Sequence, residues 1–159
     1  LKNIHKLSIT EREYLEAASL LHDVGYYISH TQHHRHSYYI IRNAELLGFS
    51  DREIELISNI ARYHRKSQPK IKHEGFSRLS IDDQEKVKRL AGIIRIADGL
   101  DRSHLSSVSK IEPHIVGKTV NLKLKVIDNR DISLDIWGAE RKKELFEEIF
   151  GYKVKFTFN

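Results

Sequence analysis

The segment Leu20–Gly25 reads LLHDVG, and it governs how the rest of the chain is interpreted. An imidazole, His22, and a carboxylate, Asp23, stand side by side at the end of an amphipathic stretch that Gly25 terminates. Upstream, residues 8–11 (SITE) have the pattern of a capping box, in which a serine and a glutamate satisfy the first backbone amides of a helix. The pattern therefore predicts a helix that carries a His-Asp pair at its C-terminal end.

Helical periodicity continues downstream to about residue 106. It predicts helices over residues 35–47, from Ser50 through an apolar stripe that ends at His64, and from Ser80 to Asp98. Between the last two helices the chain is basic and irregular, and Pro69 ends any helix that precedes it. Residues 1–106 are therefore predicted to form an all-helical domain.

Beyond residue 107 the apolar period changes from helical to alternating. Residues 120–126 and 132–136 alternate apolar and polar side chains, as half-buried strands do, on either side of a turn. Further strands are predicted over residues 111–116 and 154–158, with an amphipathic helix over residues 139–150. The predicted fold class is mainly α, a helical domain (1–106) followed by a small α+β domain (107–159) of antiparallel strands and one helix.

Composition narrows the possible classes of function. The 159 residues include no Cys, which excludes a disulfide framework, a thiolate metal site and a cysteine nucleophile. No apolar run approaches the roughly 20 residues of a membrane span, and no signal peptide is recognised, so we expect a cytoplasmic protein without a membrane partner. The chain has no Met, even at position 1, and we interpret it as a piece of a longer protein. The net charge of +5 favours anionic partners such as nucleic acid, nucleotides or polyphosphate.

Clustered histidines and a carboxylate on the apolar face of a predicted helix indicate a metal site. Asp98 lies on the apolar stripe of its helix, where a carboxylate is costly unless it is paired or bound to a metal. His64 falls on the core side of its helix, and a satisfied core histidine is the alternative interpretation there. We predict that His22, Asp23 and Asp98 are catalytic and hold a divalent ion (Mn, Mg, Fe or Zn), with His36 and His64 as further ligands. The remaining histidines of this region, His30, His33 and His34, are interpreted as solvated loop positions.

A basic stretch adjoins these histidines. Residues 61–73 contain no acidic side chain, and guanidinium groups contact phosphate through two N–H bonds at once. The alternative is a solvated basic loop. The predicted polyanion-binding residues are Arg35, His36, Arg62, Arg65 and Lys66.

These motifs resemble the C-terminal half of the exopolyphosphatase / guanosine pentaphosphate phosphatase family. The resemblance rests on LLHDVGY (20–26), HRHSY (34–38), RYHRK (62–66) and ADGLDRS (97–103), and it extends over nearly the whole chain. His22-Asp23 followed by Asp98 also resembles the HD phosphohydrolases. Their pattern has another His upstream, whereas only 21 residues precede His22 here and His5 is wrongly placed for that role.

The resemblance implies an HD-like helical domain followed by a small α+β domain. It also implies a parent reaction, the stepwise hydrolysis of a terminal phosphoanhydride in polyphosphate or pppGpp, and a homodimer. In that family the main catalytic centre lies in an N-terminal domain with an actin-like ATPase fold, so this chain would bind the polyanion, dimerise or regulate. Two alternatives stay open: a self-sufficient metal-dependent HD phosphohydrolase acting on nucleotides, and a basic nucleic-acid-binding module.

Overall fold

The computed structural model describes residues 2–158, which form two compact units. The unit that we call the helical unit is Lys6–Ile94. The other, the sheet unit, joins Leu1–His5 to Arg95–Asn159. The predicted domain boundary at residue 106 stays a prediction.

Helix starts in the helical unit follow the predicted capping boxes. After α1 (Lys2–His5), helix α2 (Ile9–Leu21) begins at Ser8, whose backbone N–H donates to the Glu11 carboxylate at 2.7 Å. Helix α4 (Asp51–Arg62) begins at Ser50 with the same reciprocal bonds to Glu53. The short helix α5 (Glu74–Ser77) precedes the long helix α6 (Ile81–Leu100). These starts confirm the sequence prediction because local side-chain chemistry alone determines them.

The region between α2 and α4 differs from the prediction in its bounds. A single 3-10 turn, Val24–Tyr27, follows α2, and helix α3 covers His33–Arg42 rather than residues 35–47. The chain reverses at Gln32, which has a left-handed backbone (φ 59°) and lets α3 begin earlier. At the other end, the side chain and the backbone N–H of Asn43 both donate to the Tyr39 carbonyl, at 2.7 and 3.2 Å, and cap the end of the helix.

The core of the helical unit is the apolar stripe that the sequence predicted. Ile57, Ile60 and Ala61 of α4 are fully buried, and α4 packs against α2 and α3. Helix α6 contributes Val87 and Leu90, which are also fully buried. Burial of each large aliphatic side chain contributes about 1.5–3 kcal/mol to the free energy of unfolding, so this stripe stabilises the packing of the helical unit. Among the helices of residues 2–158, none combines the length and apolar character that a membrane crossing requires.

The sheet unit contains three strands in the order β1 (Val108–Val116), β2 (Thr119–Val126) and β3 (Lys153–Phe158). β1 and β2 form an antiparallel hairpin that turns at Gly117 (φ 57°). Helices α7 (Ser133–Glu140) and α8 (Glu144–Phe150) connect β2 to β3. The predicted class, a helical part followed by a small α+β part, is confirmed.

Three details of the predicted α+β part are wrong. Residues 132–136 open helix α7 instead of forming a strand, because Asp131 accepts a hydrogen bond from the Ser133 N–H at 2.9 Å and orders the first turn. The predicted helix 139–150 is two helices, α7 and α8. The sheet is mixed rather than antiparallel, since β3 returns parallel to β2 after the helical crossover that a parallel pair requires.

Candidate metal centre and phosphate-binding face

Three histidines of the helical unit reach the same place from three different elements. His22 follows α2, His33 opens α3, and His64 follows α4 closely. In each ring Nδ1 lies against the carbonyl oxygen of the residue three positions earlier, at 2.7 Å for His22, 3.1 Å for His33 and 2.7 Å for His64. A carbonyl only accepts, so Nδ1 carries the proton and Nε2 keeps its lone pair. Histidines that bind metals are oriented by the same kind of contact.

The three Nε2 atoms surround the carboxylate of Asp23. Its Oδ1 lies 3.2 Å from Nε2 of His33 and 3.6 Å from Nε2 of His64, and its Oδ2 lies 3.5 Å from Nε2 of His22. The two Nε2 atoms of His33 and His64 are themselves 3.2 Å apart, and both rings are 1% exposed. Ligand atoms of Asp23, His33 and His64 all lie within 4.8 Å of one another. Facing lone pairs and a carboxylate repel one another, and a cation between them removes that repulsion.

A serine and a glycine fix this geometry. The Ser37 hydroxyl donates to the His22 carbonyl at 2.5 Å and accepts from the Gly25 N–H at 2.9 Å, so it ties the turn after α2 to α3. A Cβ on Gly25 would lie 2.1 Å from the His33 carbonyl oxygen and 2.4 Å from the Ser37 nitrogen. Gly25 therefore does more than stop a helix: its missing side chain lets His33 approach Asp23.

The surroundings of His33 favour the neutral form of its imidazole, which is the form that binds a metal. Burial lowers the pKa of His33, and the positive charge of Arg65 lowers it further, while the His30 carbonyl and Asp23 oppose the shift. The guanidinium Nη1 of Arg65 lies 3.2 Å from Nε2 of His33. On the same ring, Tyr26 stacks with its centroid 4.0 Å away. A permanent cation and an aromatic ring thus border the cluster.

The structure brings together three of the five predicted ligands and adds a fourth residue. His22, Asp23 and His64 meet as described, whereas His36 is half-buried on α3 and belongs to no such group in the described part of the chain. His33 was interpreted as a solvated loop residue, and that interpretation is wrong. The missed signal is its spacing with Ser37 and Ile41: the three side chains recur every fourth residue and form the buried face of α3.

Asp98, the fifth predicted ligand, lies in the sheet unit, where its carboxylate forms an ion pair with the Lys142 ammonium group. Both side chains are mostly buried, with 13% and 18% of their surfaces exposed. Burial lowers the pKa of Lys142, and Asp98 opposes that shift. The ion pair confirms that a carboxylate on this stripe needs a partner, while the role of Asp98 as a ligand stays a prediction.

Three of the predicted basic residues act electrostatically on His34. Burial, followed by the positive charge of Arg65, lowers the pKa of His34 to about 4, and Arg35 and Arg62 add to the shift. Arg62 also lies over the ring of Tyr38, 5.3 Å from its centroid. Within residues 2–158, no carboxylate pairs with any of these three guanidinium groups. We name Arg35, Arg62 and Arg65 the arginine face.

The other two predicted polyanion-binding residues lie close to the arginine face in sequence. His36 follows Arg35 on α3 and is half-buried, and Lys66 follows Arg65, is exposed and has a left-handed backbone (φ 57°). The structure does not test whether either of them binds phosphate.

Comparison with known proteins agrees with this arrangement. The model of the family described as Ppx/GppA phosphatase, domain III, matches residues 2–137. A guanosine-5'-triphosphate,3'-diphosphate pyrophosphatase of Pseudoalteromonas translucida (strain TAC 125) is 36% identical over 83 residues. That alignment covers 52% of this chain and 16% of the relative, so the chain matches only a small part of the longer protein. The resemblance inferred from the motifs is thereby confirmed: the chain belongs to the Ppx/GppA phosphatase family and corresponds to its domain III.

Proposed function

We propose that this chain is the HD-type module of an exopolyphosphatase- or guanosine-pentaphosphate-phosphatase-like hydrolase. In this role it binds polyphosphate or a phosphorylated nucleotide and assists or regulates phosphoanhydride hydrolysis. The observation that carries the proposal is the convergence of Asp23, His33 and His64, whose ligand atoms lie within 4.8 Å of one another and beside which lies the cation Arg65. The name of the pyrophosphatase relative supports a substrate of this class.

The donor set fits one divalent ion. His33, His64 and Asp23 would hold it, and His22 is placed to add a fourth donor, a mixed nitrogen and oxygen set that suits Zn, Mn or Fe better than Mg. When bound, such an ion polarises a phosphoryl oxygen or a bound water. The residues of the chain keep the Nε2 lone pairs directed inwards, hold His33 neutral and keep water away from the two buried rings. We leave Asp98 out of the proposed ligand set because its carboxylate pairs with Lys142.

The arginine face would receive the phosphates. Within the described part of the chain no carboxylate pairs with its guanidinium groups, and each can donate two parallel N–H bonds to one phosphate. Stacking over Tyr38 limits the orientations of Arg62 before a ligand arrives. Arg65 contacts the His33 ring, so a phosphate bound to Arg65 would also lie beside the metal centre.

The activity of the whole protein belongs to a longer chain in this proposal. The matched segment is 16% of the relative's length, which leaves room for an N-terminal catalytic domain with an actin-like ATPase fold. The present module would then bind the polyanion, contribute to a homodimer or regulate turnover in the cytoplasm.

A second candidate is a self-sufficient metal-dependent phosphohydrolase acting on nucleotides. The contact between Arg65 and His33 favours it, since a cation beside a metal centre can stabilise charge that develops on phosphorus. Release of inorganic phosphate from nucleotides by this chain alone, with manganese present, separates the two. Phosphate release by the wild type that is lost in both Asp23→Asn and Arg65→Gln supports the second candidate. If the wild-type chain releases no phosphate, the first candidate is supported.

Metal analysis tests the centre directly. We expect about one divalent ion per chain after dialysis against manganese or zinc. His33→Ala should lower the metal affinity by at least about 10–100-fold, the loss that is typical when a residue hydrogen-bonded to a metal ligand is replaced. His36→Ala is the matched control, a histidine three residues along the same helix and outside the cluster. Equal metal content in the wild type and His33→Ala would contradict the proposal.

Tripolyphosphate binding tests the arginine face. Replacement of Arg62 by Gln should weaken binding by about tenfold, since a charge-assisted hydrogen bond contributes about 1.5–3 kcal/mol. The control is Arg78→Gln, because Arg78 is exposed and already pairs with Glu74. Equal weakening in both variants would show that net charge, rather than this face, binds the ligand.

A further inference from the structure

The three-stranded sheet has two chemically opposite faces. Successive strand residues point to opposite sides, so the pairing register assigns each residue to a face. One face carries Val120, Leu124 and Val154, which are buried. The other face, which we call the lysine face, carries side chains from all three strands and no Phe, Tyr or Trp among the described strand residues.

Five lysines lie on the lysine face. The register places Lys110 opposite Lys125, Lys123 beside Glu112, and Lys155 opposite Asn121, with Lys153 one step further along β3. The positive charge therefore forms a diagonal stripe from one end of β2 to the start of β3. Along the strand direction, Lys125 and Lys153 are six residues apart in the register, which corresponds to about 20 Å.

Three of the five lysines form no ion pair within residues 2–158. Lys110 pairs with Glu112 at 2.7 Å, and Lys153 pairs with Glu147 at 2.7 Å. Lys123, Lys125 and Lys155 are exposed and form no ion pair with any residue that the structure describes. The hydrogen bond from Lys110 lowers the pKa of Glu112, and the charge of Lys123 adds to the shift.

The spacing of these charges identifies the kind of polyanion that fits. Lysines two residues apart on a strand are separated by about 7 Å, and neighbouring strands by about 5 Å. Phosphates of a nucleic acid are kept apart by sugars, whereas those of inorganic polyphosphate share a single bridging oxygen and would leave most of their charge unmatched. The described residues of this face include no Phe, Tyr or Trp on which unpaired bases could stack, and its one imidazole, His114, offers only a single ring, which favours a duplex. Thr119 and Asn121 add neutral donors of the kind that contact phosphate oxygens.

We propose that the lysine face binds the sugar-phosphate backbone of a double-stranded nucleic acid without regard to its base sequence. The binding rests on Lys123, Lys125 and Lys155, and it does not depend on the metal centre or the arginine face. Each lysine that neutralises a phosphate releases a counterion, so affinity should fall steeply as salt is added.

Fluorescence anisotropy with a labelled mixed-sequence duplex tests the proposal on the whole chain. We expect the slope of log affinity against log salt to fall by about 2–3 in Lys123→Gln/Lys125→Gln/Lys155→Gln, close to one unit per lost phosphate contact. The control triple Arg12→Gln/Arg78→Gln/Lys88→Gln removes the same charge from side chains outside the lysine face that already pair with acids. The control should keep the wild-type slope, and replacing the three lysines by arginine should keep binding.

Two results would overturn the assignment. If the slope of log affinity against log salt falls equally in both triple variants, duplex binding depends on the net charge of the chain and not on the lysine face. If long-chain polyphosphate displaces the duplex at a lower phosphate concentration than unlabelled duplex does, and the lysine variant abolishes that advantage, the face serves polyphosphate instead. Metal content and tripolyphosphate affinity should be unchanged in the lysine variant, so failure here is distinguishable from failure of the proposed function.

Discussion

Two partly buried aspartates, Asp23 in the helical unit and Asp98 in the sheet unit, have different neighbours around their carboxylates. Each carboxylate is mostly withdrawn from water, with 29% and 13% of its side-chain surface exposed. Asp98 faces the ammonium group of Lys142, whereas Asp23 faces the lone pairs of imidazoles. Asp98 is in direct contact with a lysine, whereas among the described residues no Lys or Arg contacts Asp23, and Arg65 lies beside the neighbouring His33 ring.

The difference shows what makes a carboxylate a candidate ligand. Burial alone does not, because a lysine can supply the charge that a metal would otherwise bring. A carboxylate becomes a candidate ligand when it faces neutral imidazoles whose unprotonated nitrogens point towards it, because an added cation can then bind all of these atoms. The comparison predicts that removing the charge of Asp98 harms the fold and that removing the charge of Asp23 harms the site.

The largest effect is expected for Asp98→Asn. This change leaves Lys142 mostly buried without its counterion and should lower the free energy of unfolding by about 3–5 kcal/mol. Asp23→Asn in metal-free protein should change it by less than about 1 kcal/mol, because an amide can donate to the imidazole lone pairs. Urea unfolding followed by circular dichroism measures both.

A second variant keeps this test sharp. Lys142→Met added to Asp98→Asn removes the unpaired ammonium and should recover most of the lost stability. If Asp98→Asn costs no more than Asp23→Asn, the contrast between the two aspartates is wrong.

Glycine packing gives a second way to separate the two regions. Gly25→Ala forces a Cβ into the His33 backbone, and Gly99→Ala forces one to 2.6 Å from Cα of Ala139. Each should cost about 1–3 kcal/mol or more, because backbone must move in both places. Only Gly25→Ala should also weaken metal binding, since it displaces His33. Equal metal affinities in the two variants would show that the turn after α2 does not position the site.

The sequence predicted those parts of the fold that local chemistry determines. The capping boxes at Ser8 and Ser50 and the buried stripe of α4 are properties of short segments, and they are confirmed. The predicted strand over residues 132–136 was wrong because its alternating pattern also satisfies a helix in which Ile132 and Ile136 are one turn apart. The parallel placement of β3 is a long-range property that no short segment encodes.

The candidate site shows the same limit. Asp23 and His64 were predicted from a motif and a helix face, and the structure places them together. His33 was missed because a run of histidines resembles a solvated loop until the start of α3 is known. The lysine of the Asp98 pair was missed as well, since the two residues are 44 positions apart.

A third aspartate extends the comparison to pH. Burial tends to raise the pKa of Asp83, but hydrogen bonds from Arg52 and Ser80 outweigh it and lower the pKa below the usual value of 3.8. A depressed folded-state pKa contributes stability that is present above the unfolded value and is lost as pH falls through the folded one. Arg52→Gln should therefore cost about 1 kcal/mol at pH 6, and the gap from wild type should narrow below about pH 4. Urea midpoints measured at both pH values check this, and a gap that widens in acid would contradict it.

A modest effect close to the site is expected for Ser37→Ala. The serine hydroxyl bridges the His22 carbonyl and the Gly25 N–H, so its loss removes two hydrogen bonds at a buried turn. A net cost of about 1–2 kcal/mol should follow, with a metal affinity lowered by about tenfold because the turn holds Asp23 against His33. Ser58→Ala is the matched control, since Ser58 is equally buried and its hydroxyl donates to a carbonyl of its own helix. It should lose comparable stability without losing metal, whereas equal metal affinity in the two variants would mean that the histidines hold their positions without the bridge.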